Sequence, residues 1–135
     1  MIRSKIHLVF IVLLFTCCTS NETYFDCNTQ SLISCNNKGI RNVYISSEST
    51  SETYHIEWKS TKIDAPSNLD LRNIQKEYSI HKGWNDILIL NKDFKLSPLT
   101  NYKIERVQGD ASSYNFMIST NNKGEVIKSS KSTCN

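Results

Sequence analysis

The sequence predicts an all-β protein, an antiparallel β-sandwich of about seven strands, and three observations carry that prediction. Apolar residues alternate with polar ones over most of the chain, the period-two signature of half-buried strands. Tyr54, Ile56 and Trp58 alternate with His55, Glu57 and Lys59, and Tyr114, Phe116 and Ile118 repeat the pattern. Turn-forming clusters separate the alternating runs at Ser46–Ser51, Ala65–Asn68, Lys82–Gly83, Ser97–Pro98, Gln108–Asp110 and Asn121–Gly124. No segment sustains a helical period, although Ser67–Lys76 has room for a short helical turn.

Along the chain, the first element is a leader. Arg3 and Lys5 precede an apolar run from Ile6 to Phe15. That run is about ten residues, against the roughly 20 that a membrane-spanning helix needs, so it fits the apolar part of a signal peptide. The following segment, Leu14-Phe-Thr-Cys17-Cys18-Thr-Ser20, resembles a bacterial lipobox. Cys18 fits as the lipidated cysteine. Cys17 is the alternative: it sets Leu14 three residues upstream, but then puts bulky Phe15 where a small residue is commoner. The resemblance implies a signal peptide over residues 1–17 and a chain held at a bacterial cell membrane by acyl chains such as palmitate. Thr19-Ser20 lacks an aspartate retention signal, which points to the outer membrane, facing the periplasm or the surface.

Residues 18–40 then read as a lipidated tether with a cysteine-bearing segment. Export into an oxidising compartment favours disulfides. Pairing Cys27 with Cys35 closes a short loop and is the simplest choice; Cys134 is the alternative partner for either, and would pin the tail of residues 130–135. Three thiols and two histidines without a CxxC pair make no metal site. The formal charge is +3, of which the leader's Arg3 and Lys5 supply two, leaving +1. Lysines are scattered among acids, so the basic stripe that nucleic-acid binding requires is missing.

The sandwich itself should occupy residues 41–129. Val43 and Ile45 open it, Leu69 and Leu71 then Tyr78 and Ile80 continue it, and Val126-Ile127 close it. The continuous run Ile87-Leu-Ile-Leu90 predicts a strand buried on both faces or central in a sheet. The expected core is Tyr54, Ile56, Trp58, Ile89, Tyr102, Ile104, Phe116 and Ile118, each contributing about 1.5–3 kcal/mol on burial. Two motifs add a resemblance. Tyr54-His-Ile-Glu-Trp58 resembles the second strand of a fibronectin type III domain, and Leu96-Ser-Pro-Leu-Thr-Asn-Tyr102-Lys-Ile104 is similar to that family's L-x-P-x-T-x-Y segment. The likeness covers residues 40 to 122 and implies an immunoglobulin-like or fibronectin-III-like sandwich. It also implies a tyrosine corner, with the Tyr102 ring in the core and its hydroxyl returning to nearby backbone. Segment 25–40 is a departure that such a domain does not require.

Chemistry is sparse. The chain has no G-x-S-x-G, H-E-x-x-H, G-x-G-x-x-G or P-loop pattern. His55 alternates outward from the core face, and His81 ends a strand. The aspartates sit in turns, where their side chains bond local backbone. The expectation is a non-enzymatic protein without a cofactor. Trp84, in the turn Lys82-Gly-Trp-Asn85, is the foremost binding candidate, followed by Tyr114 and Phe94, with Val107–Tyr114 as a recognition loop. The composite reading is a membrane-anchored interaction lipoprotein with a protein ligand. Alternatives are a carbohydrate-binding accessory module and an inhibitor or immunity-type protein that neutralises an exported enzyme.

Overall fold

The computed structural model describes residues 20–135; the leader, Cys17 and Cys18 lie outside the described residues. The strands are β1 Thr23–Asp26, β2 Ser31–Ser34, β3 Asn42–Ser46, β4 Thr53–Trp58, β5 Asn68–Asp70, β6 Tyr78–Lys82, β7 Ile87–Ile89, β8 Asn101–Arg106, β9 Tyr114–Thr120 and β10 Val126–Ser129. A single 3-10 turn, Asn91–Asp93, follows β7. They form two antiparallel sheets, one of three strands ordered β1-β2-β5 and one of seven ordered β10-β9-β8-β3-β4-β6-β7. The all-β, sandwich-like architecture expected from the alternation is present, with ten strands rather than about seven. Ser67–Lys76 holds β5 and turns instead of helix.

Period two places alternate residues on one face, and registered pairing lines those residues up across strands. Tyr114, Arg106, Val43, Ile56, Ile80 and Ile89 form one inward row of the large sheet. Phe116, Ile104, Ile45 and Tyr54 form the next. The small sheet answers with Phe25, Leu32 and Leu69, which stand opposite one another in register and are fully buried. Every residue of the expected core is buried except Ile89, which only packs against the margin of the cluster. Trp58 satisfies its indole by donating Nε1–H to the Ile63 carbonyl at 3.0 Å. The Tyr102 hydroxyl accepts the Ser97 amide at 2.9 Å, the return to upstream backbone expected of a tyrosine corner.

Two expectations about the fold need correction. Residues 20–40 are part of the domain rather than a tether: β1 and β2 build the small sheet, and Phe25, Leu32 and Ile40 are 0% exposed. Ile87–Leu90 is neither central nor doubly buried. As β7 it is the last strand of the large sheet, no described residue covers it, and Ile87, Leu88 and Leu90 are each at least 60% exposed. The C-terminal tail is held against the first strand: Phe25 donates its amide to the Lys131 carbonyl at 3.0 Å, and Lys131 pairs with Glu22 at 3.1 Å.

Candidate interaction site

Strand direction divides the loops between two ends of the sandwich. The turns after β3, β6 and β9 and the approach to β8 gather at one end. The opposite end holds Ser20, where the described chain begins, the β8–β9 loop and the C-terminal residues. Asn21 stitches that second end together. Its Nδ2 donates to the carbonyls of Gln108 at 3.1 Å and Ser112 at 3.0 Å, so the loop at 107–113 is tied to the entering chain. The base of the expected recognition loop is thus fixed by the protein's own N-terminal segment, while Gly109, Asp110, Ser112 and Ser113 stay exposed.

The disulfide belongs to this end too. Cys35 is bonded to Cys134, with Cα atoms 5.6 Å apart, and Cys27 is free. The Cys27–Cys35 pairing is thus replaced by its alternative, for a geometric reason. β1 and β2 form a hairpin registered from Asp26↔Ser31 at the turn to Thr23↔Ser34 at the open end. Cys27 adjoins the turn and Cys35 the open end. Four residues at about 3.3 Å each separate them, beyond the roughly 7 Å that a disulfide spans. Cys27 instead packs against the core, and burial, with Asp26 nearby, pushes its thiol above the ordinary range.

Trp84 stands at the end remote from all of this. It lies in the β6–β7 turn, where Gly83 at φ +76° and Asp86 at φ +49° make the reversal. Gly83 supplies that φ without steric cost. The turn is braced by the Gly83 amide on the Thr53 carbonyl at 2.9 Å and by His81 Nδ1 against the Asp86 carbonyl at 3.1 Å. Trp84 itself is 88% exposed, and Ile87, Leu88 and Leu90 continue an apolar margin from it. Tyr114 begins β9 opposite Arg106 at the other end, half-buried, so the structure does not bring it together with Trp84. Phe94 is not an anchor at all: it is buried edge-on against Tyr54, ring centres 5.1 Å apart.

The histidines meet across neighbouring strands on the outward face, His55 opposite His81 with ring centres 6.3 Å apart. His55 stacks face to face on Tyr44 at 4.3 Å and bonds the Asn42 side-chain oxygen. Burial holds its pKa below the ordinary histidine value despite the opposing pull of Glu57. Neither ring has a carboxylate as its hydrogen-bond partner, and no group of three metal-ligating side chains occurs among the described residues.

What sequence reasoning missed is the surroundings of β7. Leu88, Ile89 and Leu90 are the common wall of two grooves, of about 670 and 340 Å³. Ile74, Lys76 and Lys92 line the larger, and Tyr54, Lys82 and Lys95 the smaller. The apolar run itself was the available signal. Its meaning depended on how many neighbours the strand has, which a single run does not encode.

Comparison with known proteins yields no significant match to the chain, whether among family models, curated proteins or solved structures.

Proposed function

We propose that this is a non-enzymatic, membrane-anchored binding lipoprotein that takes a protein ligand at the Trp84 end of a fibronectin-III-like sandwich. The observation that carries the reading is the placement of an 88% exposed tryptophan at the end opposite Ser20 and the Cys35–Cys134 bond. A lipid on Cys18 (or Cys17) would sit just before Ser20, so Trp84 would face away from the membrane. Exposed tryptophans are common centres of interfaces, because one side chain removes a large apolar area from water when covered. The fold assignment is supported by β1-β2-β5 in one sheet, β3-β8-β9 adjacent in the other, and the Tyr102–Ser97 bond. On this assignment segment 25–40 supplies the first hairpin and β2 is the second strand, so β4, whose Tyr54–Trp58 motif resembles that strand, instead lies beside β3 in the large sheet, which β6 and β7 widen further. The glycan alternative wants aromatics lined up as a platform, and Trp84 protrudes without an aromatic neighbour among the described residues.

The test is site-specific photo-crosslinking in envelopes of cells that express the lipidated chain, with the photoreactive residue at position 84 or position 112. A discrete adduct from 84 and none from 112 is the expected result. Adducts from 112 alone, or none from either, would overturn the reading.

A further inference from the structure

We propose that the exposed edge of β7 accepts an extended, acidic strand of a partner protein, which adds to the seven-stranded sheet as its eighth strand. The inference rests on the binding-protein reading above and names the partner's chemistry and the way it docks. An edge strand presents unpaired amides and carbonyls, and proteins ordinarily blunt such edges with charge, proline or a covering loop. β7 is short, three residues, but holds neither charge nor proline: it is Ile87-Leu-Ile89, flanked by Asp86 and Leu90, and among the described residues no backbone hydrogen bond reaches its free side. An added strand would take its main-chain bonds there and send alternate side chains to opposite faces, where pockets read them. Both grooves that share β7 as a wall are lined by inward-facing residues, Tyr78 in the larger and Tyr54 and Lys82 in the smaller, so one alternate set of side chains would meet them.

Charge selects the occupant. Lys76 and Lys92 line one groove, Lys82 and Lys95 the other, and Asp93 is the one carboxylate among the residues lining either. None of the four lysines belongs to an ion pair among the described residues, whereas Arg72, also in the larger groove, is paired with Asp70 at 3.4 Å. Lys82 lies over the Tyr54 ring, 5.6 Å from its centre, and acts on the Glu52 carboxylate through space without forming an ion pair with it. Four unpaired cations around an apolar edge attract a strand that alternates acidic and apolar residues. They repel a second copy of the same edge, which would bring lysines against lysines.

The probe is a short fluorescent peptide of alternating valine and glutamate, titrated by anisotropy into the full lipidated chain in detergent, with the valine–lysine peptide as control. The acidic peptide should bind, the basic one should not, and salt should weaken the binding. Lys76→Glu together with Lys92→Glu changes only exposed side chains, and should weaken the acidic peptide about ten-fold or more. N-methylation of the peptide at every second amide should abolish binding in one register and spare it in the other, since only one set of amides faces β7. Equal binding of both peptides, indifference to the charge reversal, equal effects of the two methylation registers, or self-association of the protein through β7 would each overturn the proposal. Crosslinking from position 84 reads the wider claim separately. A captured partner without peptide binding overturns edge addition alone, and loss of both overturns the reading on which it rests.

Discussion

Arg106 is fully buried in a domain of modest size, and no carboxylate pairs with it. Its guanidinium donates instead to Thr23 Oγ1 at 3.2 Å, Ser34 Oγ at 3.0 Å, the Gly39 carbonyl at 3.2 Å and Gln108 Oε1 at 3.1 Å. Thr23 and Ser34 stand opposite one another at the open end of the first hairpin, so one side chain of β8 ties the small sheet to the large one. These acceptors keep other partners without it: Gly39 also accepts from Gln108 Nε2, and both hydroxyls donate elsewhere. Removing the charge therefore strands little and relieves its desolvation. Arg106→Met should cost about 1–2 kcal/mol, the net worth of the lost hydrogen bonds partly offset by that relief. Arg106→Ala, which also opens a cavity, should cost about 3–5 kcal/mol; urea titration of both checks the order. Glu52 gives a pH dependence. Burial alone would raise its carboxyl, but hydrogen bonds from Tyr102 at 2.6 Å, Ser97 at 2.8 Å and Thr50 outweigh it and hold the pKa below its ordinary 4.5. A depressed folded pKa means that this stabilisation is complete above about pH 4.5 and is lost as the pH falls through the folded value. Glu52→Gln should flatten the stability profile in that acid window, measured as urea midpoint against pH. An unchanged slope would refute the assignment.

At the scale of strands, the first hairpin sets how far the domain extends. Phe25, Leu32 and Ile40 are wholly buried and together contribute about 5–9 kcal/mol. Whole domains are stable by only about 5–15 kcal/mol. A chain shortened to begin at Arg41 should therefore lose its dispersed amide NMR spectrum, whereas one beginning at Ser20 should keep it. The long alternating strands were readable because their inward residues recur often enough to define a face: Tyr54, Ile56 and Trp58 on β4, Phe116 and Ile118 on β9. β1 and β2 have four residues each, Thr23-Tyr-Phe-Asp26 and Ser31-Leu-Ile-Ser34. With one fully buried apolar residue apiece, they resemble a polar tether. Ile87–Leu90 misled in the opposite sense. Hydrophobicity says that a segment gains from leaving water, and only the sheet order says whether anything covers it. Gly39 was equally silent in the sequence. A Cβ there would collide with the Ala65 carbonyl oxygen, because the segment entering β3 runs against the one entering β5, with the Ile40 amide on the Pro66 carbonyl at 2.8 Å.

For the molecule as a whole, the decisive feature is that its two ends are clipped together. Cys35 and Cys134 are 99 positions apart, and Lys131 and Asn135 both bond Glu22, at 3.1 and 2.8 Å. The tail is thus already held by non-covalent contacts in the native state, so the disulfide acts chiefly on the unfolded chain, whose ends it denies freedom. For a loop of this length the chain-entropy estimate is about 4–5 kcal/mol. The double variant Cys35→Ser, Cys134→Ser removes the bond without leaving a stray thiol. It should keep the native NMR spectrum, unfold at lower urea, and show a steeper urea dependence because a freed unfolded chain exposes more surface. The same bond tests the compartment. Export predicts that protein recovered from the envelope gains the mass of two hydrogens on reduction, and that before reduction only Cys27 of the three domain cysteines takes up alkylating agent in urea. Without urea Cys27 should react slowly, its thiol half-buried and its pKa raised by burial. Three alkylated cysteines in protein recovered from the envelope would mean that the bond does not form there. The unfolded chain would then lose its main constraint, and the case for an oxidising destination would fall with it.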